Sequence, residues 1–120
     1  MKFSESLKKY DQFQFVYKNG KSYANKYLVM YVKENGLGKN RIGISVSKKV
    51  GNSVVRHRVT RLIRESYRLH ENIFNSGLDI VIVGRPGAAT VGYHEVESAL
   101  LHLGKLHKMI KVYFYLEEEE

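Results

Sequence analysis

A chain of 120 residues with 43% hydrophobic content suits one domain with a modest core and is too apolar for a disordered polymer. It has no cysteine, which excludes a disulfide framework and thiolate metal sites. Lysine and arginine number 20 against 12 acids, a net charge of +8; four acids form the run Glu117 to Glu120, and without them 20 cations face eight acids, an excess of 12. That excess suits a polyanionic partner bound in a salt-sensitive way, although a solvated basic surface would account for it equally. No apolar run approaches the ~20 residues that span a bilayer. The start, Met1-Lys2-Phe3-Ser4-Glu5-Ser6, shows neither the apolar stretch nor the cleavage site of a signal peptide. With cysteine absent as well, the expected compartment is the cytoplasm.

Residues 10–19 read as a short helix, because Phe13, Val16 and Tyr17 recur at helical spacing and Gly20 is a natural stop. From Lys21 to Val32 the chain is rich in Tyr and Val and reads as strands broken near Asn25-Lys26. On the second of these, Leu28, Met30 and Val32 share one face and Tyr27, Val29 and Tyr31 the other. Asn35-Gly36-Leu37-Gly38 is a turn. Residues 41–47 alternate cleanly: Ile42, Ile44 and Val46 point one way, and Arg41, Gly43, Ser45 and Ser47 the other. That second face has so little bulk that another backbone could approach it. Asn52 is a good N-cap for a helix from Ser53 to about Leu69. The unbroken run Ile80-Val81-Ile82-Val83 within 78–84 suits an interior strand. A last helix is expected from near Tyr93, with Val96, Leu100, Leu103, Leu106 and Ile110 on one stripe. The tail 112–120 is aromatic and then acidic, an extra turn or strand with a frayed end. No internal repeat or linker divides the chain.

The helix from Ser53 carries the functional argument. At about 100° per residue, Val55, Val59, Leu62, Ser66 and Leu69 gather on one side with Ile63 at the edge. His57, Arg61, Arg64 and Arg68 gather opposite, flanked by Arg56 and Arg58. Arginine presents a planar, permanently charged fork that matches phosphate oxygens. Lys48 and Lys49 precede the helix, whose first turn adds free N–H groups and a partial positive charge. From Arg41 to Arg68 there are eight basic residues and one acid, Glu65. A helix selected only for solubility intersperses acids, because like charges at i,i+4 destabilise it. The layout favours nucleic acid over an anionic membrane surface, which would want exposed apolar residues beside the basic face, and over an acidic protein.

The rest of the chain offers little chemistry. Histidines 57, 70, 94, 102 and 107 lack metal-ligand spacing, and His94-Glu95 does not continue into a zinc-protease motif. Asp11 and Asp79 are the only aspartates, and no close carboxylate pair suggests a two-metal nuclease site. No nucleophile has an evident base. No catalytic residue and no protein metal site is therefore expected. Phe13, Tyr17 and Tyr31 have two open readings, as core or as a face on which single-stranded bases stack.

The segment from Arg41 to Glu65, RIGISVSKKVGNSVVRHRVTRLIRE, closely resembles the signature of the bacterial ribonuclease P protein family, an Arg-Asn-Arg core followed by Lys/Arg-Arg-x-x-Arg-Glu. The resemblance extends from Leu7 to about Lys111, through Phe13 to Lys21, Ala24-Asn25 and Leu100-x-x-Leu103. It implies one domain over 1–111, with 112–120 a tail of unassigned role. It implies the α+β class: an α/β sandwich in the order helix, three strands, helix, strand, helix, with a left-handed βαβ crossover, ribosomal protein S5 domain 2-like. It implies a ribonucleoprotein in which the protein, a monomer with one copy per catalytic RNA, binds that RNA through the basic helix. It also implies binding of the 5′ leader of precursor tRNA in a cleft of sheet and first helix, while RNA-held Mg²⁺ performs the hydrolysis. By matching positions, the RNA-binding set is Lys48, Lys49, Asn52, Arg56, His57, Arg58, Arg61, Arg64 and Arg68. The leader cleft is Phe13, Tyr17 and Tyr31, with Arg41 and Ser45 from the small-residue face. The sequence departs from the pattern at His57, where the family core has Asn, and at Thr60, where a lysine is common. Two rivals stand beside this reading. One is a ribosomal or other structured-RNA-binding protein without a role in tRNA processing. The other is a nuclease in its own right.

Overall fold

Periodicity and alternation resolve into β1 (Ser4–Ser6), α1 (Tyr10–Asn19), β2 (Lys21–Ala24), β3 (Leu28–Glu34), β4 (Asn40–Val46), α2 (Ser53–His70), β5 (Leu78–Gly84) and α3 (Tyr93–Leu106), with 3-10 turns at Glu71–Ile73 and Pro86–Thr90. The computed structural model describes residues 4–110. The tail 112–120, for which a turn or strand was expected, lies outside the described residues.

Local chemistry sets the helix ends. Gln12 Oε1 accepts the backbone N–H groups of Lys8 and Lys9 at 3.0 and 3.1 Å, closing the start of α1. The N–H of Gly20 bonds Val16 O at 2.8 Å, and a Cβ on Gly20 would lie 2.6 Å from that oxygen, so the chain turns here only without a side chain. Asn52 caps α2 as expected, its Oδ1 accepting from Val55 N at 3.0 Å.

The strands form one sheet in the order β1-β4-β5-β3-β2. β1 and β5 each lie parallel to β4, while β3 runs antiparallel to both β5 and β2. β5 is therefore interior, as its apolar run required, and α2 links the parallel neighbours β4 and β5. α2 and α3 cover one face. Their Val59, Ile63, Tyr67, Val96, Leu100 and Leu103 pack on Leu28, Met30, Ile42, Ile80 and Ile82. α1 crosses the other face and forms a smaller cluster of Leu7, Val16 and Val81 with Phe13, Tyr17, Tyr31 and Val83 around it. The mixed α+β sandwich is the expected one, with β1 as an added edge strand too short to show a pattern.

Two expectations need correction. The buried side of α2 is Val59, Ile63, Ser66 and Tyr67, whereas Leu69 is 52% exposed. Tyr67 sets this rotation. Its ring stacks on Phe74 with centroids 5.4 Å apart, and its hydroxyl reaches Ser4 Oγ at 2.8 Å and takes a hydrogen bond from Asn40 Nδ2 at 3.3 Å. The α3 stripe holds through Val96, Leu100 and Leu103, but Leu106 is 40% exposed and ends the helix. Ile110 is buried from outside the helix: the chain reverses at Lys108 (φ 56°), and Ile110 bridges Phe74.

Candidate RNA interface

The basic side of α2 is narrower than the helical wheel predicts. His57, Arg61 and Arg64 are exposed, as are Lys48 and Lys49 in the turn before the helix. With Ser53, Val54 and Arg58, residues His57 and Arg61 line an open groove of about 520 Å³. Val54 is 76% exposed there, an apolar contact that the polar-face reading omits. Asn52 is exposed while its side-chain Oδ1 holds the cap. Two predicted RNA-binding residues, Arg58 and Arg68, already have partners within the fold, and a third, Arg56, is partly buried. Arg58 donates to Ala89 O at 3.2 Å and to Val91 O, tying α2 to the loop before α3. Arg56 is half-buried, and its Nε is buried without a hydrogen-bond partner. Arg68 pairs with Glu65 one turn away, which holds the Glu65 carboxyl below the usual range.

On the opposite face the strand registers define rows across the sheet. Gly43, Val81, Tyr31 and Ser22 form one row; Ser45, Val83, Val29 and Ala24 form the next; Arg41, Asp79 and Lys33 lie on the other side. α1 sits over the first row. The Phe13 ring rests on Gly43, and the Tyr17 ring meets Tyr31 edge-on with centroids 4.9 Å apart. The close approach that Gly43 permits is thus made by an aromatic ring and not by backbone. Phe13, Tyr17 and Tyr31 are each half-buried, so they pack on Val16 and Val81 while keeping part of each ring open. Beside them the row from Ser45 to Ala24 is a floor of small and β-branched side chains. Val29 lies on the face expected from its spacing with Tyr31, whereas Val83 escapes sequence reading because an unbroken apolar run does not show which face a helix leaves uncovered.

Arg41 has a partner on the neighbouring strand. It and Ser45 flank Gly43 on one face of β4, about 13 Å apart along the strand, with the Phe13 ring between them. Its guanidinium grips buried Asp79 in a bidentate pair, Nε to Oδ1 at 2.7 Å and Nη2 to Oδ2 at 2.6 Å. Burial pushes the Asp79 carboxyl up, but hydrogen bonds from Arg41 and Asn35 and the Arg41 charge together outweigh it and hold the pKa below the usual carboxylate range. Among the described residues no group of three or more His, Asp or Glu side chains is placed to hold a metal ion. No helix among them is long and apolar enough to cross a membrane.

Comparison with known proteins accords with this arrangement. The family model described as Ribonuclease P matches residues 1–108. The ribonuclease P protein component of Lachnoclostridium phytofermentans is 71% identical over 107 residues, covering 89% of this chain and 92% of that protein. Among solved structures, the RNase P protein of Staphylococcus aureus superposes with a TM-score of 0.81 at 36% identity, covering 88% of this chain and 97% of the other. The RNase P protein from Thermotoga maritima gives a TM-score of 0.77 at 31% identity, with coverages of 84% and 96%. A basic helix joining two parallel strands, an aromatic-walled cleft on the far face and a match over nine-tenths of the length lead to one assignment: the chain belongs to the ribonuclease P protein family.

Proposed function

We propose that this protein assists the removal of 5′ leaders from precursor tRNA as the protein subunit of a ribonucleoprotein endonuclease. Its two faces divide the work. Lys48, Lys49 and the exposed side of α2 neutralise phosphates of the catalytic RNA. The row from Ser45 to Ala24, walled by Phe13, Tyr17 and Tyr31, takes the leader by base stacking and apolar contact. The observation that carries the reading is the separation of the two surfaces, with arginines on one face of the sheet and half-open aromatic rings on the other. A structured RNA and a single strand can then be held at once.

The hydrolysis is assigned to Mg²⁺ held by the RNA. Among the described residues no acidic cluster is placed to hold that ion, and Asp79 is committed to Arg41. The holoenzyme reading has one monomer per catalytic RNA and a cytoplasmic location.

The test is reconstitution with a bacterial ribonuclease P RNA at low Mg²⁺. The protein should stimulate cleavage of precursor tRNA and bind leader-bearing substrate more tightly than mature tRNA. Stimulation without leader preference would leave only a structured-RNA-binding protein. Cleavage by the protein without added RNA would make it a nuclease in its own right.

A further inference from the structure

A second groove lies beyond the cleft, between the β2–β3 turn and the outer side of α3. Asn25, Lys26 and Tyr27 form one wall and His94, Ser98 and His102 the other, around a volume of about 440 Å³. The wall formed by the turn is fixed in advance. Asn25 Oδ1 accepts the N–H groups of Tyr27 and Leu28 at 3.2 and 3.0 Å, which settles the orientation of its amide. Its Nδ2 then donates to Ala99 O at 3.0 Å and meets His102 Nδ1 at 3.2 Å. Arg85 clamps the turn from behind, its Nη1 donating to Asn25 O at 2.7 Å.

This network selects the tautomer of His102. An amide nitrogen only donates, so Nδ1 accepts and the ring proton sits on Nε2. His102 is thereby left with an N–H donor on a side chain that lines the groove. Lys26 Nζ lies 5.6 Å from the centre of the Tyr27 ring. Glu95, the acid of the lining, is occupied in accepting Gly92 N–H at 3.2 Å. An aromatic ring, an ammonium and an imidazole N–H around a volume of this size fit a nucleotide.

The groove opens on the α3 side of the sheet and the cleft on the α1 side, and the two meet around the β2 edge. Ala24 ends the row that starts at Ser45, and Asn25 is the next residue. A strand lying across that row spans three inter-strand gaps, about 14 Å, and arrives at the turn. Its reacting end must stay with the catalytic RNA, on the side of β4, Lys48-Lys49 and α2. The part that reaches β2 is therefore the distal, 5′ part of the leader.

We propose that the groove is a distal subsite for single-stranded RNA, taking a leader nucleotide upstream of the cleft with its base against Tyr27 and its phosphate near Lys26 and His102. The inference rests on the cleft reading above. It is tested with the reconstituted holoenzyme, comparing a precursor whose leader ends within the cleft with one whose leader extends past it. Lys26→Ala with His102→Ala, both on exposed side chains, should weaken binding of the extended substrate by about fivefold, the value of one modest nucleotide contact, and leave the short one unchanged. Thermal melting of the free variant checks the fold. If it melts early, Lys26→Gln with His102→Gln takes its place under the same criterion. Equal losses for both substrates, or none for either, overturn the subsite. A wild-type holoenzyme that prefers leader-bearing tRNA but gains nothing from the extension also overturns the subsite and leaves the cleft standing. A wild-type enzyme indifferent to any leader overturns both.

Discussion

The Phe13 ring lies so close to Gly43 that a Cβ there would come within 2.6 Å of Phe13 Cζ. This contact seats α1 on the sheet and so sets the height of the cleft wall. Gly43→Ala should lift the helix and cost about 1–3 kcal/mol, the usual range for overpacking, read by urea denaturation. Leader preference should fall with it. Adding Phe13→Leu, which makes room for the methyl group, should recover part of the stability. If the two changes are simply additive, the rings and strand are not coupled as described.

Arginines on α2 should separate by what they touch. Arg61→Ala with Arg64→Ala, both exposed, should leave the melting temperature nearly unchanged. Binding to the catalytic RNA should weaken, and the log-log salt slope should flatten by about 0.7–0.9 per lost phosphate contact. Arg58→Ala should behave in the opposite way. It strips two carbonyls of a charged donor, costing about 1.5–3 kcal/mol, with a smaller change in slope. Equal slopes for wild type and the double variant would place Arg61 and Arg64 away from RNA.

Acid should expose the Arg41–Asp79 pair. The Asp79 carboxyl is held below its ordinary value in the folded protein, so the unfolded chain takes up its proton first as pH falls. The stabilisation is complete above about pH 4 and is lost as pH drops from there through the lower folded value. Asp79→Asn should flatten that part of the stability curve. Arg41→Met, which strands a buried carboxylate, should cost about 3 kcal/mol near neutrality. A leader affinity unchanged by Arg41→Met, once stability is allowed for, would place Arg41 outside the cleft.

A chain of hydroxyl bonds joins the edge strand to the basic helix. Asn40 Nδ2 donates to Tyr67 Oη, Tyr67 donates to Ser4 Oγ, and Ser4 donates to Glu71 Oε2 at 3.0 Å. Tyr67→Phe keeps the ring on Phe74 and removes the relay. The expected loss is about 1–2 kcal/mol, with faster amide exchange in Ser4–Ser6 as the sign that β1 has loosened. Unchanged exchange there would mean that the backbone pairing with β4 holds the strand alone.

Much of this protein was legible in one dimension because the relevant signals are local. Helical spacing at Phe13, Val16 and Tyr17, the N-cap Asn52, the alternation from Arg41 and the run Ile80 to Val83 each depend on neighbours a few residues away. So does the gathering of His57, Arg61 and Arg64 on one side of a helix, and so does the family signature that runs through them. What only the tertiary structure decided depends on partners distant in sequence. Tyr67 turned α2 towards Ser4 and Phe74. Asp79, 38 residues from Arg41, took up that guanidinium. Ala89 and Val91 claimed Arg58, and Asn25 met His102 across 77 positions. Periodicity reports which face of an element is wet or dry. It carries no information about which wet residues a distant carbonyl or carboxylate has already taken, and that pairing decides which charges remain for RNA.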